Sequence, residues 1–177
     1  MAGLTAQERL QPSLLDRLTD ADPSSARESL DARVLSKQQL RAAVLRDLSW
    51  LFNTTCQEPP LRSRDAEGRR MWQEAPEARK SVLNYGLPPL SGETMIVMDF
   101  PWLEQQIREA IIRFEPRVDP DSLSVSVTDE RMTGKQPTML RLVIRGLMWN
   151  QPVPLELLLS ADVDVDTGQT AVRDMRG

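Results

Sequence analysis

Histidine is absent from all 177 residues, and with it go the commonest general base and the commonest transition-metal ligand. Ser-His-Asp, Cys-His and HExxH chemistries are thereby excluded. Cysteine occurs once, at Cys56, so no internal disulfide can form, which agrees with a reducing compartment. One thiol without imidazoles cannot build a zinc site of the usual Cys/His type, and Cys56 reads as a small, partly buried apolar residue. No apolar run approaches the roughly 20 residues of a membrane helix. Met1 to Arg9 lack the basic-then-apolar order of a secretory signal, so the expectation is a cytoplasmic protein with no direct membrane insertion. Positive charge is not in excess. A net charge of -4 and a pI near 5.0 argue against nucleic acid as the main partner. The eight glycines are scattered and form no phosphate-binding loop, and no cofactor is expected.

What is present describes an ordinary soluble protein, with 40% hydrophobic and 27% charged residues and a mean hydropathy of -0.39. The length fits one domain, read here as an N-terminal arm over 1–32 and a domain over 33–177. In the arm, Leu14, Leu15 and Leu18 share one face if the stretch is helical. That face either packs on its own domain or docks on a partner. Asp22-Pro23-Ser24-Ser25 reads as a turn or linker.

Ser36 with Gln39 forms a capping-box pattern, and Leu40, Val44, Leu48 and Leu51 give the next helix its buried stripe, with Asn53 as its stop. Trp50, Leu51 and Phe52 form an aromatic-rich cluster that belongs in the core or at an interface. From Thr54 to Lys80 the periodicity fades, interrupted by Pro59-Pro60, Gly68 and Pro76, and the stretch reads as a solvated loop despite its arginines. Ser81 to Pro88 forms a short turn or strand in which Gly86 calls for a left-handed backbone angle. A strong helix follows: Leu103, Ile107, Ala110, Ile111 and Phe114 lie on one face, Pro101 suits its first turn, and Glu104/Arg108 and Glu109/Arg113 are spaced for exposed ion pairs. Pro116 ends it. Glu115 is left beside the negative end of the helix dipole, where Arg117 is the nearest compensating charge.

Alternation of Leu123, Val125 and Val127, of Leu140, Leu142 and Ile144, and of Leu155, Leu157 and Leu159 predicts three strands. Gly134 and Pro137 mark a connection, and Gly146 is a candidate bulge. Pro152 and Pro154 place the third strand at an edge or mark its start. Asp166 to Gln169 turns the chain into a last strand around Ala171-Val172-Arg173. The fold class is therefore α+β, a small antiparallel or mixed sheet in a C-terminal meander, packed against two or three helices. Asp162, Asp164, Asp166 and Gly168 approach an EF-hand loop, but the glycine is one place late and Arg173 stands at the twelfth position. No metal is expected. A carboxylate glycosidase built on Glu115 with Asp119 or Asp121 has no supporting spacing. The residues alone point to a binding module with an open sheet edge.

Four segments, in order, resemble the TssE family of type VI secretion systems, related to the gene-25-like phage baseplate wedge proteins. They are Ser13 to Leu18, Val44 to Thr54, Ser81 to Pro88 and Ala110 to Arg117. Trp50-Leu51-Phe52 and the arginine-containing stretch 62–80 depart from the family pattern. The resemblance implies a non-enzymatic baseplate component with a sheath-subunit-like fold. It implies TssF and TssG as wedge partners, the sheath proteins TssB and TssC, and the TssK adaptor. Some descriptions of the family carry a lysozyme label. The Glu-Pro-Arg motif, here Glu115, Pro116 and Arg117, is associated with holding the wedge core together. Partner-binding residues expected on this basis are these three with Leu14, Leu15, Leu18, Asn84, Tyr85 and Gly86. Substituting Glu115→Lys or Arg117→Glu is then expected to leave expression intact and abolish sheath assembly. Whether Glu115 and Arg117 pair with each other or reach for neighbours is open at this level.

Overall fold

A computed structural model describes residues 13–18, 36–59, 65–89, 99–130, 138–150 and 153–176. The arm contributes one short helix, α1 (Leu14–Leu18). Helix α2 (Lys37–Phe52) starts at the expected capping box: Ser36 Oγ accepts from the Gln39 amide, and Gln39 Oε1 accepts from the Ser36 amide. Leu40, Ala43, Val44, Leu48, Leu51 and Phe52 are buried, whereas Trp50 is 51% exposed. Asn53 stops the helix. Its Nδ2 donates to the Ser49 and Thr170 carbonyls and its Oδ1 accepts from the Thr170 amide, so the cap also clips α2 to the last strand.

The stretch read as a loop holds two short helices, α3 (Ala66–Glu74) and α4 (Pro76–Lys80). Neither buries a residue, which is why no apolar period announced them. Local chemistry builds them instead. Asp65 Oδ1 caps α3 at the Gly68 amide, Arg70 pairs with Glu74 at i,i+4, and Pro76 opens α4 with a φ already suited to a first turn. A 3₁₀ turn, Val82–Asn84, follows. At Gly86, φ is +123° and an added Cβ would lie 2.4 Å from the Thr54 carbonyl oxygen. Only glycine lets the segment lie against 54–56, where Leu87 N donates to Thr54 O and Cys56 N to Leu87 O.

Helix α5 (Phe100–Phe114) is capped by Asp99 and buries Leu103, Ile107, Ala110 and Ile111. The two expected ion pairs on its surface do not form. Glu104 accepts from the Val127 amide, Arg108 donates to the carbonyls of Leu123 and Pro120, and Arg113 donates to that of Arg79. Glu109 accepts from Gln105. Backbone groups left unpaired at a strand edge cost more than an exposed i,i+4 pair contributes, about 0.2–0.5 kcal/mol, so they capture the charges.

Strands β1 (Ser124–Asp129), β2 (Met139–Met148), β3 (Leu155–Asp164) and β4 (Thr170–Asp174) form one antiparallel meander in the order β1-β2-β3-β4. The α+β class holds, and the sheet is purely antiparallel. Gly146 is not a bulge: the β2–β3 register runs unbroken through Arg145↔Leu158, Gly146↔Leu157 and Leu147↔Glu156. It sits in phase with Leu142 and Ile144, beneath Val118 and Leu123. Strand β3 is interior, so Pro154 marks its start, not an edge. Gly134, Pro137, Pro152 and the linker at 22–25 lie outside the described residues. The inner sheet face, with Leu140, Leu142, Ile144, Met148, Leu159, Ala161 and Val163, forms one core with the buried stripes of α2 and α5.

Candidate functional site

The end of α5 is built from a proline turn. Pro116 cannot donate, and its fixed φ suits the second position of the turn that the Val118 amide closes on the Glu115 carbonyl. The turn is stitched to the end of β2, where Trp149 N donates to Arg117 O and Asp119 N to Leu147 O. Pro116 itself is exposed. The tight turn folds the Arg117 side chain back onto Glu115, which is 2% exposed. Glu115 Oε1 accepts from Arg117 N at 3.1 Å and from Nε at 2.6 Å, while Arg117 Nη2 reaches Oε2. The pair is thus internal, and bidentate.

The same Nη2 also donates to Asp47 Oδ2. Asp47 stands at the i+7 place of the stripe that begins at Leu40, a carboxylate on the rim of the buried face of α2. Its other oxygen, Oδ1, accepts from Arg46 Nε at 2.8 Å. Arg46 Nη1 then donates to Asp16 Oδ1 at 2.6 Å, and its guanidinium lies over the Trp50 ring, 5.2 Å from the centroid. Charges therefore alternate along a continuous chain, Asp16, Arg46, Asp47, Arg117 and Glu115, that joins three of the four segments carrying the family resemblance. Burial works against the Arg117 cation, but hydrogen bonds and charge from Glu115 and Asp47 outweigh it and raise its pKa. The Asp16 hydrogen bond, opposed by burial and helped by Asp47, raises that of Arg46. Asp16 is held below the usual carboxylate range: burial opposes this, and Arg46 with Ser13 overcomes it.

Tyr85 belongs to this site. Its ring packs edge-on against Phe114 at 5.0 Å, and its hydroxyl donates to the Asp47 carbonyl at 3.4 Å. Burial and the nearby charges of Asp47 and Glu115 push the phenol up. Asn84 and Gly86 shape the turn that presents Tyr85. Buried Asn84 accepts from the Glu58 amide and donates to the Arg79 carbonyl and Glu58 Oε2. Leu14, Leu15 and Leu18 are 73%, 43% and 73% exposed, so Leu14 and Leu18 stand largely clear of the described domain. Asp16, between them, is tied to Arg46.

This arrangement suits cohesion, not hydrolysis. Both Glu115 oxygens are engaged by Arg117, and a general acid needs access to a substrate oxygen that a 2% exposed carboxylate lacks. No cluster of three or more histidine, cysteine, aspartate or glutamate side chains is placed to hold a metal among the described residues. In the stretch that approached an EF-hand loop, Asp162 bonds Arg141 and Arg173, and Asp164 Oδ1 accepts from the amides of Asp166 and Thr167. No helix among the described residues is long and apolar enough to cross a membrane.

Comparison with known proteins returns no match among curated sequences or solved structures. A family match does exist, to the family described as Baseplate wedge protein gp25, over residues 38–153. That span runs from the first turn of α2 past the end of β2 and holds Arg46, Asp47, Asn84, Tyr85, Gly86, Glu115, Pro116 and Arg117. With about two-thirds of its length matched and a site built for cohesion, the chain belongs to the baseplate wedge protein gp25 family, whose members are structural and not catalytic.

Proposed function

We propose that this protein is a TssE-type baseplate component of a type VI secretion system, cytoplasmic and docked at the inner-membrane complex. In this role it links the wedge proteins TssF and TssG to the contractile sheath of TssB and TssC, with TssK nearby, and starts sheath polymerisation. Residues 33–177 form the working domain and the arm, 1–32, an accessory docking element. Leu14, Leu15 and Leu18 together with the Tyr85 and Pro116 surfaces contact partners, while Glu115, Arg117, Asn84 and Gly86 shape the surface those partners meet.

The observation that carries this reading is the state of the two sheet edges. Val127 N and Leu123 O, which point away from β2, are taken by Glu104 and Arg108, so α5 occupies part of the β1 edge. On β4 the outward residues are Thr170, Val172 and Asp174, because Met175 N is the group that bonds back to Leu158 O and antiparallel pairs alternate. Thr170 is clipped by Asn53. The outward amides and carbonyls of Val172 and Asp174 have no partner among the described residues, which leaves a short template for an incoming strand.

Val172→Pro tests this directly, since proline is tolerated where the lost N–H faces outward. The variant should fold, retain the wedge proteins in a pull-down and fail to nucleate sheath in cells. Normal sheath assembly with this variant would rule out β4 as the template. Failure of the wild-type chain to co-purify with TssF and TssG would reject the type VI setting itself.

A further inference from the structure

We infer that the seating of the arm helix α1 and the clamp on the Glu115–Arg117 turn are one coupled device, with Asp47 as the shared element. Asp16 performs two tasks at once. Its Oδ2 accepts from the Ser13 hydroxyl at 2.6 Å and the Ser13 amide at 3.3 Å, closing the first turn of α1, while its Oδ1 receives Arg46. A five-residue helix with two leucines 73% exposed gains little from burial and is far too short to persist alone. The contact with Arg46 is therefore a principal tie of α1 to the domain. Arg46 in turn divides its donors between Asp16 and Asp47, and Asp47 divides its two oxygens between Arg46 and Arg117.

The division makes the two ends support each other. When Asp16 leaves, Arg46 keeps its charge and has Asp47 as its remaining carboxylate, so Asp47 is drawn toward it. Arg117 Nη1 is buried and meets no acceptor among the described residues, so no second carboxylate stands ready there to replace Asp47. The clamp then rests on Glu115 alone. By linkage the effect is reciprocal: a protein that binds the exposed leucine face and draws Asp16 away from Arg46 loosens the 115–117 turn, and one that recruits Arg117 changes how firmly the arm sits. The turn and the arm lie about a hundred residues apart in sequence, yet one carboxylate separates their cations.

A double-mutant cycle in the full chain tests the coupling. Asp16→Asn, Arg117→Lys and the double variant are unfolded in urea and their unfolding constants compared. Coupled sites should depart from the product of the single effects by more than about twofold; a smaller departure overturns the inference. A second measurement needs no destabilised variant. In Asp16→Asn, hydrogen exchange at Arg117 Nε should accelerate several-fold, whereas Leu18→Ala, which alters the leucine face but not the ion pair, should leave it unchanged. Unchanged exchange in Asp16→Asn, or equal acceleration in both variants, would also overturn it.

Discussion

At the scale of single residues, the buried anion at the end of α5 decides what the Glu-Pro-Arg motif can tolerate. Removing Arg117 leaves Glu115 charged, buried and without its guanidinium, a loss of about 3–5 kcal/mol for a broken buried pair. Arg117→Ala should lower the unfolding free energy by that amount in urea titration. Glu115→Lys puts a second cation against Arg117 in a site 2% exposed, so the expectation of intact expression for it gives way to early melting. Asp16 sets a pH dependence. Its folded pKa lies below its ordinary 3.8, so the ion pair contributes fully above about pH 4 and is lost as pH falls through the depressed value. Methyl signals of Leu14 and Leu18 should report a seated arm from neutral pH to about pH 4 and release below it, with Asp16→Asn showing no such transition. Glu115 with Arg117 was legible in the sequence because the proline and the helix dipole create the need and the compensation within three residues. Asp47 was not, since it is 70 residues from Arg117, although a carboxylate at the i+7 place of an apolar stripe was a visible sign.

At the scale of elements, legibility followed apolar period and cap chemistry. Helices α2 and α5 and all four strands could be read because each buries a face, and burial at about 25 cal/mol per Å² imposes a repeat on the residues that supply it. Helices α3 and α4 bury nothing and left no repeat. The bulge expected at Gly146 failed for a related reason: a glycine in a strand also serves where another segment closes over it, and here Val118 and Leu123 do so. Gly86 was read correctly because its demand is local. Gly86→Ala would drive a Cβ into the Thr54 carbonyl at an unfavourable φ, cutting the Leu87–Thr54 and Cys56–Leu87 bonds. It should destabilise the fold by about 1–3 kcal/mol and, by tilting the turn that carries Tyr85, shift the tyrosine's near-ultraviolet circular dichroism at temperatures where the chain is still folded.

At the scale of the whole molecule, each edge of the sheet is engaged in part by a helix, β1 by Glu104 and Arg108 of α5 and β4 by Asn53 and Arg41 of α2, and nothing in the strand periodicity announces either. The alternation of Val125 and Val127 is the same whether or not a helix lies alongside. On the β1 side the tie comes from α5, whose Glu104 and Arg108 would form an ordinary surface ion pair if read along the helix and instead bond the Val127 amide of β1 and the Leu123 and Pro120 carbonyls just before it. A protein that must offer one edge for strand addition gains specificity when the other is obstructed, because two open edges let copies of the chain pair with each other. The double variant Glu104→Ala, Arg108→Ala removes the guard while leaving the buried stripe of α5 untouched. It should retain its helical circular dichroism but become concentration-dependent in mass by light scattering, as β1 edges pair between molecules. Val172→Pro added to it should not restore the monomer, since that substitution closes only β4. A double variant whose mass stays constant over the same range would show that the edge of β1 is inert without its guard, and that Glu104 and Arg108 serve only to fasten α5 to the sheet.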